Sequence, residues 1–539
     1  MKIILFHSFL FSFIIYLHGF IFLKKILKFK ETNNFYETSL IGLIITIIIA
    51  QFLNFFIPLN DNLLIFNIIS LIIYTFFSLN ILIKSLKIDF KILIILGIIS
   101  LFNIYGSGFS DDINHYHYSY IANTDVTNLI WGNSFFHPLY GTASAWLVGH
   151  SYFNFDQFRL QDIHVLNGII FFLVLGCFFS ELYKKNKKKI YYPILFSLIL
   201  FILLKYTRLK EFGIDRPSTL IFCFLIYYYC KYFLDPNKRE IHLNFIIIVV
   251  LSIFIFSIKI IYLPILVFPL IIFNKSKSNL LKNDLRYLIV LLPISVLIVK
   301  NILGSGCFIY PFANTCIEYI PWSNLIGAKE LSISAEIFNK SWNSYTGDLS
   351  KENYIQNFSW LNTWFQRSKV EILELFLTST LVAIIAFSLY DLKSKKNYST
   401  NDNFKDLKII LLSIIILSMI VYFFKNPVIR MYHFTVISLM ILIILLTFRF
   451  DISKHKKNFI NIVLVIGLIF NLSKNIQRIY NNNFENNPYE MIAKKVGIQK
   501  KKNLDNFTYY IGWYGDAPVS NYEINDKKFK KIFIFNILY

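Results

Sequence analysis

The sequence predicts an all-α polytopic membrane protein with about 14 transmembrane or half-spanning helices and two large external loops. Apolar residues make up 56% of the 539. They gather into uncharged runs of roughly 15 to 23 residues, the length that takes a helix across a hydrocarbon core about 30 Å thick. The Lys and Arg behind the formal net charge of +22 fall in short clusters between those runs. That pattern marks one set of connections as cytoplasmic and argues against a nucleic-acid surface.

The runs lie near residues 3–23, 38–58, 63–83, 91–105, 164–183, 191–206, 218–234, 243–257, 260–273, 287–302, 371–390, 409–424, 431–448 and 459–472. The first, IILFHSFLFSFIIYLHGFIFL, is longer than a signal-peptide core and is followed by Lys24 and Lys25 rather than a cleavage site, so it stays as a span. Alternate connections carry KKILKFK, KKNKKK and KSKK. Segment 243–273 has basic clusters on both sides and is interrupted by Lys259 and Pro264. It therefore reads as two short helices turning at Lys259. Parity then puts 106–163 and 303–370 outside, with smaller external turns at 206–217, at Lys259 and at 425–430. Residues 1–472 form the membrane domain. The tail, 473–539, falls outside by the same count although it carries KKK and KKFKK, since long tails follow the charge rule weakly.

Cys177, Cys223 and Cys230 sit in apolar runs and read as packing residues, whereas Cys307 and Cys316 flank FIYPFANT in a polar loop and can pair in an oxidising compartment. No P-loop, dinucleotide fingerprint or internal repeat is present, so neither ATP-driven transport nor a soluble nucleotide domain is indicated.

Polar chemistry concentrates in GSGFSDDINHYHYSYIANTD, residues 106–125. Ser110 can cap a helix whose first turn holds Asp111 and Asp112, with His115 and Tyr118 following on roughly one face. A carboxylate there can take a proton from an acceptor hydroxyl, with His115 beside it. Alternatively, the pair only stabilises the helix start. Five of the ten histidines (His115, His117, His137, His150, His164) lie in or at the end of this loop, and the stretches with Trp131 and Trp146 look suited to the membrane interface. A divalent metal suits such residues, but no compact ligand spacing supports one. A second cluster, RLKEFGIDRPS, places Arg208, Asp215 and Arg216 in a short turn. With Lys259 and Arg430 it makes a candidate cationic ring for a lipid phosphate, each member being equally open to snorkelling or a structural charge pair. GSGCFIYPFANTC predicts a turn-rich cavity wall. Trp360 and Trp364, one helical turn apart, suit interface anchoring or stacking on a sugar.

An acidic pair opening the first large external loop, an interfacial loop, about a dozen spans and a later Cys/Pro-containing external loop resemble the GT-C class of polytopic glycosyltransferases. The resemblance covers residues 90–370, and the chain also resembles uncharacterised bacterial membrane proteins of the same plan. It implies a polyprenyl-phosphate-linked sugar as donor and Asp111 or Asp112 as general base. Arg216 and Lys259 are implied to meet the donor phosphate. The chain departs from the pattern in placing three spans before the acidic loop. The expected function is transfer of a sugar from a polyprenyl-phosphate donor to a lipid- or glycan-linked acceptor on the periplasmic face of a bacterial inner membrane, by an inverting displacement. An O-antigen polymerase or ligase is the enzyme alternative, drawing on arginines such as Arg159, Arg208 and Arg367. A lipid or glycan flippase is the non-enzyme alternative.

Overall fold

A computed structural model of the chain describes residues 2–29, 34–85, 88–106, 112–142, 144–155, 164–184, 192–209, 213–234, 241–280, 285–341, 350–395, 402–446, 450–452, 457–481, 500–505, 507–512, 518–520, 523–524 and 527–539. The first half contains α1 (Lys2–Phe20, prolonged by a π turn to Ile26), α2 (Phe35–Leu53), α3 (Asp61–Ser85), α4 (Phe90–Tyr105), α5 (Tyr118–Val126), α6 (Ala145–Tyr152), α7 (Val165–Leu182), α8 (Tyr192–Lys205), α9 (Asp215–Leu234) and α10 (Ile241–Ile258). The second half contains α11 (Val267–Leu280), α12 (Leu291–Ser305), α13 (Leu325–Ser341), α14 (Lys351–Gln356), α15 (Trp360–Phe387), α16 (Asp402–Lys425), α17 (His433–Leu446) and α18 (Lys457–Asn481).

Among the described residues ten helices are long and apolar enough to cross a membrane, and four shorter apolar helices accompany them. These fall on the fourteen apolar runs. The core lies on α2, α7 and α9, whose apolar windows are 83%, 89% and 89% buried, whereas α3 and α15, at 17%, face outward and keep their apolar surface for lipid. Helices α1 and α2 touch backbone to backbone: a Cβ on Gly42 would stand 1.8 Å from the Ile15 carbonyl, and one on Gly19 1.9 Å from that of Thr38. Small residues permit such an approach, and lipid-embedded helices gain van der Waals contact from it. Polar links do the rest. Asn103 of α4 exchanges amide hydrogen bonds with Asn471 (3.0 Å) and Asn475 (2.7 Å) of α18, and Asn471 also donates to the Leu203 carbonyl at 3.0 Å.

Segment 243–273 breaks as expected at Lys259, which is extended (φ −156°, ψ 122°) between α10 and a 3₁₀ turn, Ile260–Leu266, leading into α11. The expected disulfide Cys307–Cys316 is formed, and Cys177, Cys223 and Cys230 are buried free thiols.

The architecture is mainly helical, as expected, with a few short strands beside the helices: β1 (Tyr390–Lys395) pairs antiparallel with β2 (Phe450–Ile452), and the tail carries β3 (Lys500–Leu504), β4 (Phe507–Ile511), β5 (Val519–Ser520), β6 (Phe529–Ile532) and β7 (Phe535–Leu538). Strands β3, β4 and β5 form one small sheet in that order, and β6–β7 form a hairpin. Helix α18 runs unbroken through residue 472 to Asn481, with its far half pinned by the asparagine links. The strands then fold against the first large loop. Trp131 N–H donates to the Asn536 carbonyl (2.8 Å), Leu538 N–H donates to that of Trp131 (2.9 Å), and Asn123 clamps Val519 through both amide groups. The second large loop joins them through Gly132 N–H to the Leu303 carbonyl (2.8 Å) and through Trp131 against Trp322, ring centres 4.8 Å apart. Both loops and the tail thus share one end of the molecule.

Candidate functional site

The start of α9 is fixed by local chemistry. Pro217 sits in its first turn, where no amide donor is needed, and the Ser218 hydroxyl donates to the Ile214 carbonyl at 2.7 Å. This sets Asp215 at the helix mouth. Its Oδ1 accepts from Lys259 Nζ at 2.8 Å and from the Tyr262 hydroxyl at 3.4 Å, and its Oδ2 accepts from Arg430 Nε at 2.8 Å. Three connections far apart in sequence therefore meet on one carboxylate. The Asp215 side chain is 18% exposed against 44% for Arg430, so the arginine is the more open partner. It is held through Nε, which leaves the terminal nitrogens outside the Asp215 pair, and a guanidinium so held can grip an anion.

The acidic stretch meets this cluster through a π turn. After Asp112 the chain winds as a π-helix over Ile113–His117, closed by Tyr118 N–H to the Ile113 carbonyl. A five-residue repeat brings Asp112 and His117 towards one face. His117 is buried, and its ring nitrogens have no hydrogen-bond partner among the described residues. Burial pushes it down to about 4; Asp112 and Asp215 act on it in the opposite sense, while Lys259 and Arg430 reinforce the burial. Burial also pushes the Tyr116 hydroxyl well up, with Asp112 and Asp215 adding to the effect. His117 thus stands neutral at pH 7 among two carboxylates and two cations. Deeper, His150 is pushed down chiefly by burial, with its coupling to the neighbouring imidazoles of His117 and His164 acting in the same sense, and burial takes His164 to about 3.

Of the residues expected to act, Asp215, Lys259 and Arg430 meet directly, and Asp112 stands close enough for its charge to act on His117 and Tyr116. Arg216, next in the chain to Asp215, acts on Tyr206, whose hydroxyl is 3.0 Å from His433 Nδ1. Tyr118 is half-buried against the core. Arg208 is exposed and acts on Arg478, away from the ion-pair cluster. Ser110, Asp111, Arg159 and the His115 side chain lie outside the described residues. Asp112 makes no side-chain cap bond at the start of the π turn.

The tryptophan expectations are corrected. Trp146 is fully buried and donates to Asn167 at 2.9 Å, because all of α6 packs inside the protein. Trp131 is covered by Trp322 and Phe535. Trp360 is also fully buried, and Trp364 Nε1 donates to the Pro427 carbonyl at 2.5 Å. Trp146 and Trp360 are therefore not interface anchors, while Trp131 and Trp364 keep part of their surface exposed. Sequence reasoning passed over Tyr116, His117 and Tyr262 as site members. Only His117 carried a signal, as one of the loop's histidines, and an α-helical register pointed to His115 instead. Among the described residues no three His, Cys, Asp or Glu side chains group as metal ligands.

Ten apolar helices around a buried core, with a charged cluster where three connections converge, define a polytopic helical membrane protein with a polar site at one end. The chain belongs to the family described as Domain of unknown function (DUF8201), whose model matches residues 1–437. That match ends just beyond Arg430, so the whole cluster lies inside it and the β-rich tail outside. No curated protein and no solved structure matches the chain.

Proposed function

We propose that the protein is a glycosyltransferase of the bacterial inner membrane, taking a sugar from a polyprenyl-phosphate donor and passing it to a lipid- or glycan-linked acceptor on the periplasmic face. The observation that carries this reading is the pairing of a carboxylate, Asp112, and a neutral buried imidazole, His117, with an open-faced Lys259–Asp215–Arg430 cluster. Sugar transfer from a lipid phosphate requires these two functions together. Asp112 takes the proton of the acceptor hydroxyl as its oxygen bonds to the anomeric carbon. The bond from that carbon to the phosphate oxygen breaks, and the leaving phosphate carries its charge onto Arg430 and Lys259. Asp215 holds both cations in place, and His117 orients the hydroxyl. The Cys307–Cys316 disulfide suits an oxidising, periplasmic end.

The test is donor turnover by purified protein in liposomes supplied with synthetic polyprenyl-phosphate hexoses and lipid-linked saccharides extracted from membranes, read as release of free polyprenyl phosphate. Asp112→Asn should express and insert normally yet lose about 100- to 10,000-fold in rate, the usual worth of a general base. Release by this variant at the wild-type rate would remove Asp112 as base.

A further inference from the structure

A cavity of about 470 Å³ opens in the region of the second large loop, between α13, α14, the start of α15 and the end of α16. That volume lies within the roughly 300–1,000 Å³ of small-molecule sites. Glu336, nearly buried, accepts from Lys340 at 2.6 Å through one oxygen and from Lys425 at 2.8 Å through the other. Lys340 also donates to the Ile355 carbonyl at 3.2 Å and stands 5.0 Å over the ring of Trp360. The indole N–H of Trp360 is buried without a hydrogen-bond partner among the described residues. Phe358 and Phe424 present half-exposed rings, 6.3 Å apart, in the same wall.

An ion triad alone would tie α13 to α16 and needs nothing more. Two further observations exceed that role. Phe358 holds φ +56°, a left-handed conformation that costs a non-glycine residue about 1–2 kcal/mol. The strain serves to turn an exposed ring into the cavity wall, the kind of backbone outlier that gathers at ligand clamps. A buried carboxylate flanked by lysines is also less favourable than an apolar filling unless something uses it.

We propose that this cavity binds a saccharide. A hydroxyl both donates and accepts. Glu336 has lone pairs left to accept and Lys425, 62% exposed, has protons left to donate, so one site offers both functions side by side. Phe358 and Phe424 supply faces for the C–H side of a sugar ring. A purely apolar ligand would desolvate the triad without replacing its water contacts. The cavity is tied to the ion-pair cluster through one short connection: Lys425 stands at one end and Arg430 at the other, and Trp364 bonds Pro427 between them. It is therefore placed to hold the distal units of a glycan acceptor. That role rests on the glycosyltransferase reading, whereas saccharide binding does not.

The test is titration of the full chain in nanodiscs with chitotriose, maltotriose and trigalacturonate, followed by calorimetry and saturation-transfer NMR. At least one trimer should bind at millimolar affinity or better and be weakened 10-fold or more by Phe358→Ala and by Lys425→Ala. Phe358→Gly relieves the left-handed strain, so it should melt no lower than the parent while losing binding equally. Asp112→Asn should keep full trimer binding, which separates failure of this proposal from failure of the transferase reading. Absence of binding by all three trimers overturns the proposal, as does binding indifferent to the Phe358 variants. A co-purifying phospholipid lost in Phe358→Ala, with no trimer bound, overturns it in favour of lipid.

Discussion

Asn123 is the residue on which docking of the C-terminal strands depends most directly. Strand β5 bonds to β4 through its flanking residues: Tyr510 N–H donates to the Pro518 carbonyl at 2.9 Å and Gly512 N–H to that of Ser520 at 3.0 Å. The N–H and carbonyl of Val519 point to the other edge, where Asn123 Oδ1 accepts the first at 2.6 Å and Asn123 Nδ2 donates to the second at 2.9 Å. One side-chain amide thus stands in for a neighbouring strand. Asn123 is 4% exposed and Val519 0%, so water does not replace these bonds while the tail stays docked. In Asn123→Ala two buried backbone groups lose their partners, at about 1–3 kcal/mol each. Taking about 3 kcal/mol for the pair, the undocked population rises about 100-fold. Hydrogen exchange on peptides covering 507–520 should accelerate by that order, with no change in α2, α7 or α9. Asn123→Asp keeps the acceptor but loses the donor and buries a charge, so it should loosen the tail at least as much. Less than about 3-fold acceleration in Asn123→Ala would refute the clamp, leaving the strands held by contacts such as the Trp131 backbone bonds, Asn128 Nδ2 donating to the Ile534 carbonyl at 2.8 Å and the Ser520 hydroxyl donating to the Phe136 carbonyl at 2.9 Å.

The buried histidines give the chain an acid-sensitive fold. His117 falls to about 4 and His164 to about 3, against 6.5 unfolded, so the unfolded chain takes up protons first and stability is complete above pH 6.5 and lost as pH falls below it. Each contributes about 2 kcal/mol of loss between pH 6.5 and 5, which thermal melts of the detergent-solubilised protein should show and His164→Gln should lessen by its own share of about 2 kcal/mol. Single cysteines at Val126, Tyr319 and Phe533, all exposed, in a background lacking the native cysteines, should all react with an impermeant maleimide on intact spheroplasts. Labelling of only one or two would contradict the shared end that the loops and tail form.

Hydropathy and charge are local properties, and what depends on them was legible in the chain alone. Runs of Ile, Leu and Phe marked the helices because each must satisfy its own backbone inside lipid. Lys259 marked the turn within 243–273 because an ammonium placed in mid-span is costly. The spacing of Cys307 and Cys316 in a polar turn made their pairing readable too. Lys259 and Arg430 were grouped with the 208–218 turn as one candidate cationic ring, yet nothing along the chain said that the two cations would share the Asp215 carboxylate. That depends on how α9, α10 and α17 pack, and packing of lipid-embedded helices turns on shape complementarity that hydropathy does not encode. The same limit hid His117. A π turn runs over Ile113–His117, and the α-helical spacing drawn from Asp111 did not include His117. Trp146 and Trp360 read as interface residues for their chemistry, but tertiary packing covered them, since an aromatic ring gains at least as much inside a protein core as at a headgroup boundary. The sequence by itself determined which segments are apolar enough to enter a membrane and which residues carry charge. The tertiary structure decided which of those charges meet, because convergence of distant turns is set by helix packing and not by any residue's neighbours in the chain.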